Sequence, residues 1–191
     1  MVMMAVMAVM ELCLRFKYNI IKSNMLLSPV QGMSSGKGEI KLRITQKFGN
    51  DFKLNGKWVY KSMGMDGHNG IDYGVPVGTP IFASHDGIVT RIKKDETGYG
   101  WHVRIRSHHF ARETIYAHLS EILVNEGQHV GLGDKIALSG GARGAIGSGL
   151  STAPHLHFGY RNLLPSSADI SRWYVKDYNN GYFGWKDVLP T

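Results

Sequence analysis

Residues 87–106 read GIVTRIKKDETGYGWHVRIR, two alternating runs separated by a polar turn that contains glycine. In Gly87–Ile92 and again in Trp101–Arg106, apolar and polar residues alternate one by one, the period of a β-strand with one buried face. The turn includes Lys94–Gly98, whose composition is typical of a chain reversal. This stretch therefore predicts two β-strands joined by a turn.

Similar short segments recur along the chain and predict a mostly β domain. Between residues 40 and 165 no convincing 3.6-residue apolar period is found, and the 24 glycines are spread as turn-sized interruptions. Residues 77–84 (VGTPIFAS) resemble residues 132–139 (LGDKIALS), which indicates two related β-motifs that face one another. The other predicted strands are Ile40–Thr45, Thr114–Ala117, Lys135–Leu138 and His155–Tyr160.

The composition suits one folded domain with some additional sequence. Of the 191 residues, 43% are hydrophobic and 19% charged, and the formal net charge is +7. The charge fits a solvated basic surface or attachment to an anionic polymer. We predict no nucleic-acid partner, because the basic residues form no helix-turn-helix, zinc-finger or aromatic RNA-binding pattern. The single Cys13 excludes an internal disulfide and a thiolate zinc cluster, whereas nine histidines are available as metal ligands.

The N-terminal region differs from the rest of the chain. Met1–Met10 is an apolar run too short to span a bilayer as a helix, so we predict no stable membrane span. An atypical export signal, a short helix that touches a membrane, and a start codon assigned too early, with Met25 or Met33 as the true start, all stay open. We expect residues 1–35 to be an extension or linker and residues 36–191 to form the functional domain.

The strongest local signal for chemistry is the pair His155 and His157 in the segment TAPHLHF. Side chains two positions apart on a strand point to the same face, so both imidazoles would lie on one side while Leu156 points to the core. Taken alone, the pair also fits surface or packing histidines.

Two further signals are weaker when each is considered alone. His68 and Asp72 are four residues apart in HNGIDYG, where the glycines disfavour a helix and would bend the backbone so that both side chains converge on one ion. His118 follows a predicted strand in IYAHL, where a structural histidine is the default interpretation.

Together the three signals contain the groups needed for metal-assisted amide hydrolysis. Two histidines and a carboxylate provide three zinc ligands and leave a fourth position for water, the pattern of a catalytic site. Zinc lowers the pKa of such a water to about 7. The remaining two histidines would accept its proton, stabilise the anionic intermediate and protonate the leaving amine.

The order of these motifs and their flanking sequence resemble the lysostaphin-like family of zinc endopeptidases. The similarity covers roughly Ile44–Arg161. Residues 70–89 (GIDYGVPVGTPIFASHDGIV) resemble the stretch after the first zinc ligand of the family. Residues 126–141 (EGQHVGLGDKIALSGG) resemble its Gly-Gln-x-Val-x-x-Gly-Asp-x-Ile segment, and residues 149–158 (GLSTAPHLHF) its closing motif.

The resemblance implies a function and assigns residues to it. His68, Asp72 and His157 match the zinc ligands, and His118 and His155 match the catalytic pair. The implied fold is a small antiparallel β-domain with a groove across one face, binding one Zn²⁺ per chain. The implied substrate is the peptide stem or cross-bridge of bacterial peptidoglycan, and the implied place of action is the cell wall, reached by a secreted, periplasmic or phage-delivered enzyme. We expect a monomer.

Other functions fit parts of the sequence. Some relatives have lost zinc ligands and act as activators of other wall enzymes, so a non-catalytic wall-binding activator is the main alternative, although all five positions are present here. A biotinyl or lipoyl carrier would explain Gly133–Ile136 but needs an exposed hairpin-tip lysine that is not evident. A zinc hydrolase of non-wall peptides would use the same motifs. The sequence leaves open which bond is cut and whether the source is phage or bacterial.

Residues outside the motifs are expected to be structural or solvated. Ser166–Thr191 is rich in tryptophan and tyrosine and is expected to pack onto the domain. The histidines assigned no chemical role are His85, His102, His108, His109 and His129.

Overall fold

The alternating runs within residues 87–106 form two paired strands whose bounds lie within one residue of those predicted. The computed structural model describes residues 20–21, 26–30, 34–35, 38–39 and 43–188. Their strands all pair antiparallel, which confirms the mostly β prediction. Met1–Met10, for which three interpretations stay open, lies outside the described residues.

Most of the regular structure consists of strands of two to nine residues. The strands are β1 (Ile20–Ile21), β2 (Leu26–Leu27), β3 (Ser34–Ser35), β4 (Gly38–Glu39), β5 (Ile44–Gln46), β6 (Lys53–Leu54), β7 (Lys57–Trp58), β8 (Ile71–Tyr73), β9 (Pro80–Phe82), β10 (Gly87–Lys93), β11 (His102–Ser107), β12 (Arg112–Ala117), β13 (Leu119–Ile122), β14 (His129–Val130), β15 (Lys135–Ser139), β16 (Leu156–Leu164), β17 (Tyr174–Val175) and β18 (Trp185–Lys186). The helices are α1 (Val59–Ser62) and a 3₁₀ turn (Ile170–Arg172). Among the described residues, no helix is long and apolar enough to cross a bilayer.

The main sheet carries the strand order β14-β10-β11-β12-β16-β8-β5. The nine-residue strand β16 pairs with β12 along one edge and with β8, β18 and β17 in turn along the other. A second sheet has the order β13-β15-β9. Strands β9 and β15 belong to the two segments with similar sequence, so the prediction that these segments face one another is confirmed.

The core lies between the main sheet and the three-stranded sheet. Alternate residues of the central strands, including Ile105, Tyr116 and Phe158, are completely buried and pack with Ile81 of β9 and Ile136 of β15. Burial of each such side chain contributes about 1.5–3 kcal/mol. The positions between them point to the other face of the main sheet, the functional face, which carries the predicted site residues Asp72 and His157.

Part of the N-terminal region packs against this core. Leu26 and Val30 are buried in the main hydrophobic cluster, and the N–H of Leu27 donates to the carbonyl oxygen of Ser84 at 2.9 Å. The division of the chain into residues 1–35 and 36–191 stays a prediction, and residues 26–30, on its N-terminal side, contact the folded domain.

On the functional face, three strands meet at a buried carboxylate. Glu113 of β12 is 1% exposed and accepts from Arg106 of β11 at 2.5 Å and from Arg161 of β16 at 2.7 Å, with Arg104 at 3.5 Å. Burial alone would raise the pKa of Glu113, but the three guanidinium groups outweigh it and hold this pKa below its usual value. Glu113 therefore stays ionised and joins β11, β12 and β16.

The C-terminal segment covers this cluster. Arg106 donates through Nη1 to the carbonyl oxygens of Ile170 and Ser171, both at 2.8 Å. The ring of Trp185 lies 4.5 Å from the guanidinium carbon of Arg161. Trp173 and Trp185 are buried, which confirms that the aromatic segment packs onto the domain, whereas Tyr174 and Tyr178 are exposed.

One buried histidine makes the stability of the fold dependent on pH. His85 is 1% exposed, with Nδ1 2.9 Å from the carbonyl oxygen of Asp86 and Nε2 3.0 Å from the hydroxyl of Thr114. Burial, assisted by the charge of Arg112, lowers the pKa of His85 from 6.5 to about 4. Because the unfolded chain binds a proton at higher pH than the folded protein, this histidine favours unfolding as the pH falls from 6.5 towards 4.

Because of His85, we expect the free energy of unfolding to be about 2 kcal/mol lower at pH 5 than at pH 7. The measurement is urea unfolding at both pH values, with chelator, for the wild type and His85→Gln. The free energy of unfolding should differ between pH 7 and pH 5 by about 2 kcal/mol less in His85→Gln than in the wild type. An unchanged pH dependence would contradict the prediction.

Candidate metal centre

Strands β8 and β16 place three candidate ligands on the functional face. Asp72, in the middle of β8, lies directly opposite His157 near the start of β16, and His68 lies in the glycine-rich loop that leads into β8. The atom His68 Nε2 is 2.9 Å from His157 Nδ1 and 3.1 Å from Asp72 Oδ1, and the last two atoms are 3.0 Å apart. Three donor atoms of the types that bind zinc thus converge on one point.

The hydrogen bonds around this triangle are those expected of a cation site. His68 Nδ1 lies 3.2 Å from the carbonyl oxygen of Lys47, which makes Nδ1 the protonated nitrogen and leaves the lone pair of Nε2 pointing into the triangle. A single proton on His157 Nδ1 satisfies only one of its two neighbours. Three buried acceptor atoms that lie 2.9–3.1 Å from one another therefore fit a shared cation better than a shared proton.

The protonation states of the triangle also suit a metal. Burial would raise the pKa of Asp72, but the adjacent imidazoles of His157 and His68 outweigh it and hold this pKa well below its usual value, so the carboxylate is ionised. Burial lowers the pKa of His157 to about 4, which leaves its imidazole neutral at neutral pH. An anionic carboxylate with neutral imidazole is the form in which these groups bind metal ions.

The histidines predicted as the catalytic pair lie beside the triangle. The rings of His118 and His155 are 4.7 Å apart, and His155 Nε2 lies 3.6 Å from Asp72 Oδ2. His118 links β12 to β13 with a left-handed φ of +58°, a conformation that non-glycine residues adopt rarely and mostly at turns or functional sites. The fold thus brings all five predicted side chains into one region.

The loop before β16 orients both of these imidazoles. His118 Nδ1 lies 2.9 Å from the carbonyl oxygen of Ser148, and His155 Nδ1 lies 2.8 Å from that of Ala153 and 3.1 Å from the hydroxyl of Ser151. Both bonds place the ring proton on Nδ1, so Nε2 is the basic nitrogen in each neutral ring. Burial lowers the pKa of His118 to about 3, which keeps its ring neutral.

The five side chains form part of the floor of a groove of about 500 Å³. One wall comes from residues 52–65 and the other from residues 98–99 and 150–154. Tyr99 was not identified from the sequence, yet its ring lies 5.1 Å from that of His157 and its hydroxyl accepts from Asn69 at 2.5 Å. Its flanking glycines, Gly98 and Gly100, were the available signal for a constrained loop.

The histidines assigned no chemical role all lie within the described range 43–188, and none of the five lines the groove. His85 and His102 are buried, and each has Nδ1 within 3.0 Å of a backbone carbonyl oxygen. His108, in the turn between β11 and β12, contacts the edge of Trp173 at 5.0 Å between ring centroids.

Gly70 makes room for the ring of His157. A Cβ atom at this position would lie 2.6 Å from Cε1 of His157 and 2.6 Å from the carbonyl oxygen of Phe158. We expect Gly70→Ala to displace the imidazole, to weaken metal binding about 10–100-fold and to cost about 1–3 kcal/mol of stability.

The measurement is a zinc competition titration against a chromophoric chelator. Gly131→Ala is the matched control, because its added Cβ would lie no closer than 3.6 Å to any neighbour. Wild-type affinity in Gly70→Ala would show that this glycine does not position the ring.

Comparison with known proteins gives a consistent result. The model of peptidase family M23 matches residues 66–169. Among curated proteins, a peptidoglycan DD-endopeptidase of Vibrio cholerae, ShyA, is 40% identical over 91 residues, covering 48% of this chain and 19% of the relative. The DD-carboxypeptidase/endopeptidase Mpg of Neisseria meningitidis is 47% identical over 92 residues, again covering 48% and 19%. The chain thus spans about a fifth of the length of these relatives.

Solved structures share the fold. A zinc-containing peptidase from Vibrio cholerae superposes with a TM-score of 0.58 at 28% identity, covering 86% of this chain and 39% of that one. The catalytic domain of lysostaphin from Staphylococcus simulans superposes with a TM-score of 0.51 at 26% identity, covering 70% and 88%. Both the antiparallel β-fold and the lysostaphin-like resemblance are thereby confirmed.

Proposed function

The chain belongs to peptidase family M23, and on that premise we propose that the protein is a zinc-dependent endopeptidase that hydrolyses the peptide stems or cross-bridges of bacterial peptidoglycan. The observation that supports this most directly is the triangle of donor atoms at 2.9–3.1 Å with His118 and His155 beside it in an open groove. The names of the relatives ShyA and Mpg support a wall-peptide substrate.

We assign the metal ligands to His68, Asp72 and His157. Two imidazole nitrogens and one carboxylate oxygen form a donor set that suits Zn²⁺, one ion per chain. When bound in such a site, zinc acts as a Lewis acid and makes water acidic enough to ionise near neutral pH. The three residues supply two neutral imidazoles and one anionic carboxylate. With a divalent ion bound, the site would therefore retain the net positive charge that this chemistry needs.

We assign proton transfer to Nε2 of His118 and of His155. Each ring is held by an Nδ1–H bond to the loop at 148–153, which fixes the direction in which Nε2 points. His155 Nε2 lies 3.6 Å from Asp72 Oδ2, which places it beside the metal ligands. A histidine whose Nε2 has accepted a proton from water can then deliver that same proton to the leaving amine.

The proposed substrate implies where the protein acts. We propose that the protein acts as a monomer at the cell wall and that residues 36–191 form the metalloendopeptidase domain, after an extension at residues 1–35. The net charge of +7 supports attraction to anionic wall polymers, an interaction that salt would weaken.

The test is digestion of purified cell walls, with released amino termini as the readout. The wild type should contain about one zinc per chain and release new termini, and both a chelator and His155→Ala should abolish that release. His129→Ala, an exposed histidine on β14, is the matched control. Zinc binding without new termini from any wall type would instead indicate the activator or a different peptide substrate.

A further inference from the structure

The ribbon of β6 and β7, together with helix α1, exposes a concentration of large apolar side chains. Phe52, Leu54, Trp58 and Met63 are 45%, 62%, 43% and 42% exposed, although residues of these types are usually buried. A cluster of this kind within one short segment marks a contact surface.

Lysines are interspersed among these apolar side chains in the sequence. Residues 51–63 include Lys53, Lys57 and Lys61 and one acid, Asp51. Asp51 is engaged locally, since its carboxylate accepts from the backbone N–H of Phe52 at 2.8 Å. The ammonium groups of Lys53 and Lys61 lie 5.0 and 5.5 Å from the ring centroid of Trp58. Cationic heads around apolar side chains complement a surface that is anionic outside and apolar beneath.

The geometry of the ribbon favours a fluid partner over a rigid one. The register pairs Lys53 with Trp58 and Leu54 with Lys57, so each face of the ribbon presents one apolar side chain and one lysine. The tip turns through Asn55 and Gly56, which have φ values of +51° and +78°, as in the tight turns of two-residue hairpins. A rigid protein would contact one face, whereas a lipid interface surrounds the tip and contacts both.

We propose that residues 51–63, the β6–β7 ribbon with α1, form a docking surface for an anionic lipid bilayer. Leu54 and Trp58 enter the headgroup region, and the three lysines contact lipid phosphates. Because Phe52 and Met63 also line the groove, docking places its mouth beside the lipid surface. The interaction is independent of the proposed hydrolysis and of the metal.

The first test is sedimentation of the full chain with vesicles of phosphatidylcholine alone or mixed with phosphatidylglycerol. Binding should require the anionic lipid, and replacement of Lys53, Lys57 and Lys61 by glutamine should weaken it about 100-fold. Leu54→Ser should weaken it about tenfold. Leu132→Ser is the matched control, because Leu132 is a comparably exposed leucine, at 51%, in a different turn.

The second test isolates the ribbon from any binding by Met1–Met10. Brominated phosphatidylglycerol vesicles should quench tryptophan fluorescence in the wild type, and Trp58→Phe should abolish that quenching. Unchanged quenching in Trp58→Phe would overturn the proposal. A second result would also overturn it: neither the wild type nor the lysine variant binds vesicles, but the lysine substitutions weaken binding to isolated cell walls. The partner would then be a wall polymer.

Discussion

Asp72→Asn is expected to abolish zinc binding and wall hydrolysis together while leaving the fold in place. The asparagine side chain has nearly the same shape but no charge, and it presents an amide to two buried imidazoles. Loss of a group that merely supports a ligand costs about 10–100-fold in metal affinity, so loss of the ligand itself should exceed about 100-fold. Asp72 is also the group that Nε2 of His155 faces, so proton transfer suffers too.

The measurement combines metal analysis, release of amino termini and far-ultraviolet circular dichroism. Glu121→Gln removes one negative charge from an exposed position of β13 and is the matched control. Stoichiometric zinc bound with wild-type affinity in Asp72→Asn would refute the assignment of this residue as a ligand.

Glu113→Ala is expected to cause the largest loss of stability, about 3–5 kcal/mol. The substitution leaves Arg104, Arg106 and Arg161 close together on a largely buried surface with no anion between them. Their mutual repulsion adds to the loss of the hydrogen bonds that join three strands. Such a loss is a large part of the total stability of a domain, which is typically about 5–15 kcal/mol.

Urea unfolding in the presence of chelator measures this effect without a contribution from metal binding. Because Arg106 also donates to Ile170 and Ser171, limited proteolysis should cut near these residues sooner in Glu113→Ala than in the wild type. Glu121→Ala, an exposed glutamate on a strand, should change the free energy of unfolding by less than about 0.5 kcal/mol. A loss below about 1 kcal/mol for Glu113→Ala would show that the cluster is not the main link between these strands.

The strand content was predictable because alternation is a local property. β10 and β11 follow directly from residues 87–106, and β12 and β15 from similar runs. The order of strands in the sheet was not predictable from residues alone, since it depends on pairing between segments far apart. The antiparallel fold was inferred from a family resemblance, and the placement of β8 beside β16 became visible only in the structure.

The candidate site shows a similar division. The spacing in His68–Asp72 and in His155–His157 pointed to a chemical site, because both pairs can converge when a loop or strand sets their direction. The family resemblance then divided these residues into ligands and a catalytic histidine. The contributions of Tyr99 and Ser151 were missed, since each acts through a contact with a residue whose position the sequence does not reveal. Phe52 and Met63 carry no periodic signal, and only their place beside the groove gives them a role.

The pairing of β8 with β16 also has a consequence for the order of folding events. Asp72 and His157 are 85 residues apart in sequence, and His68 and His157 are 89 apart. Pairing of segments so far apart is slow, because the entropy of closing the loop is lost before the contacts form. The complete ligand set therefore exists only after β8 has paired with β16, so a refolding chain should take up zinc no earlier than that pairing.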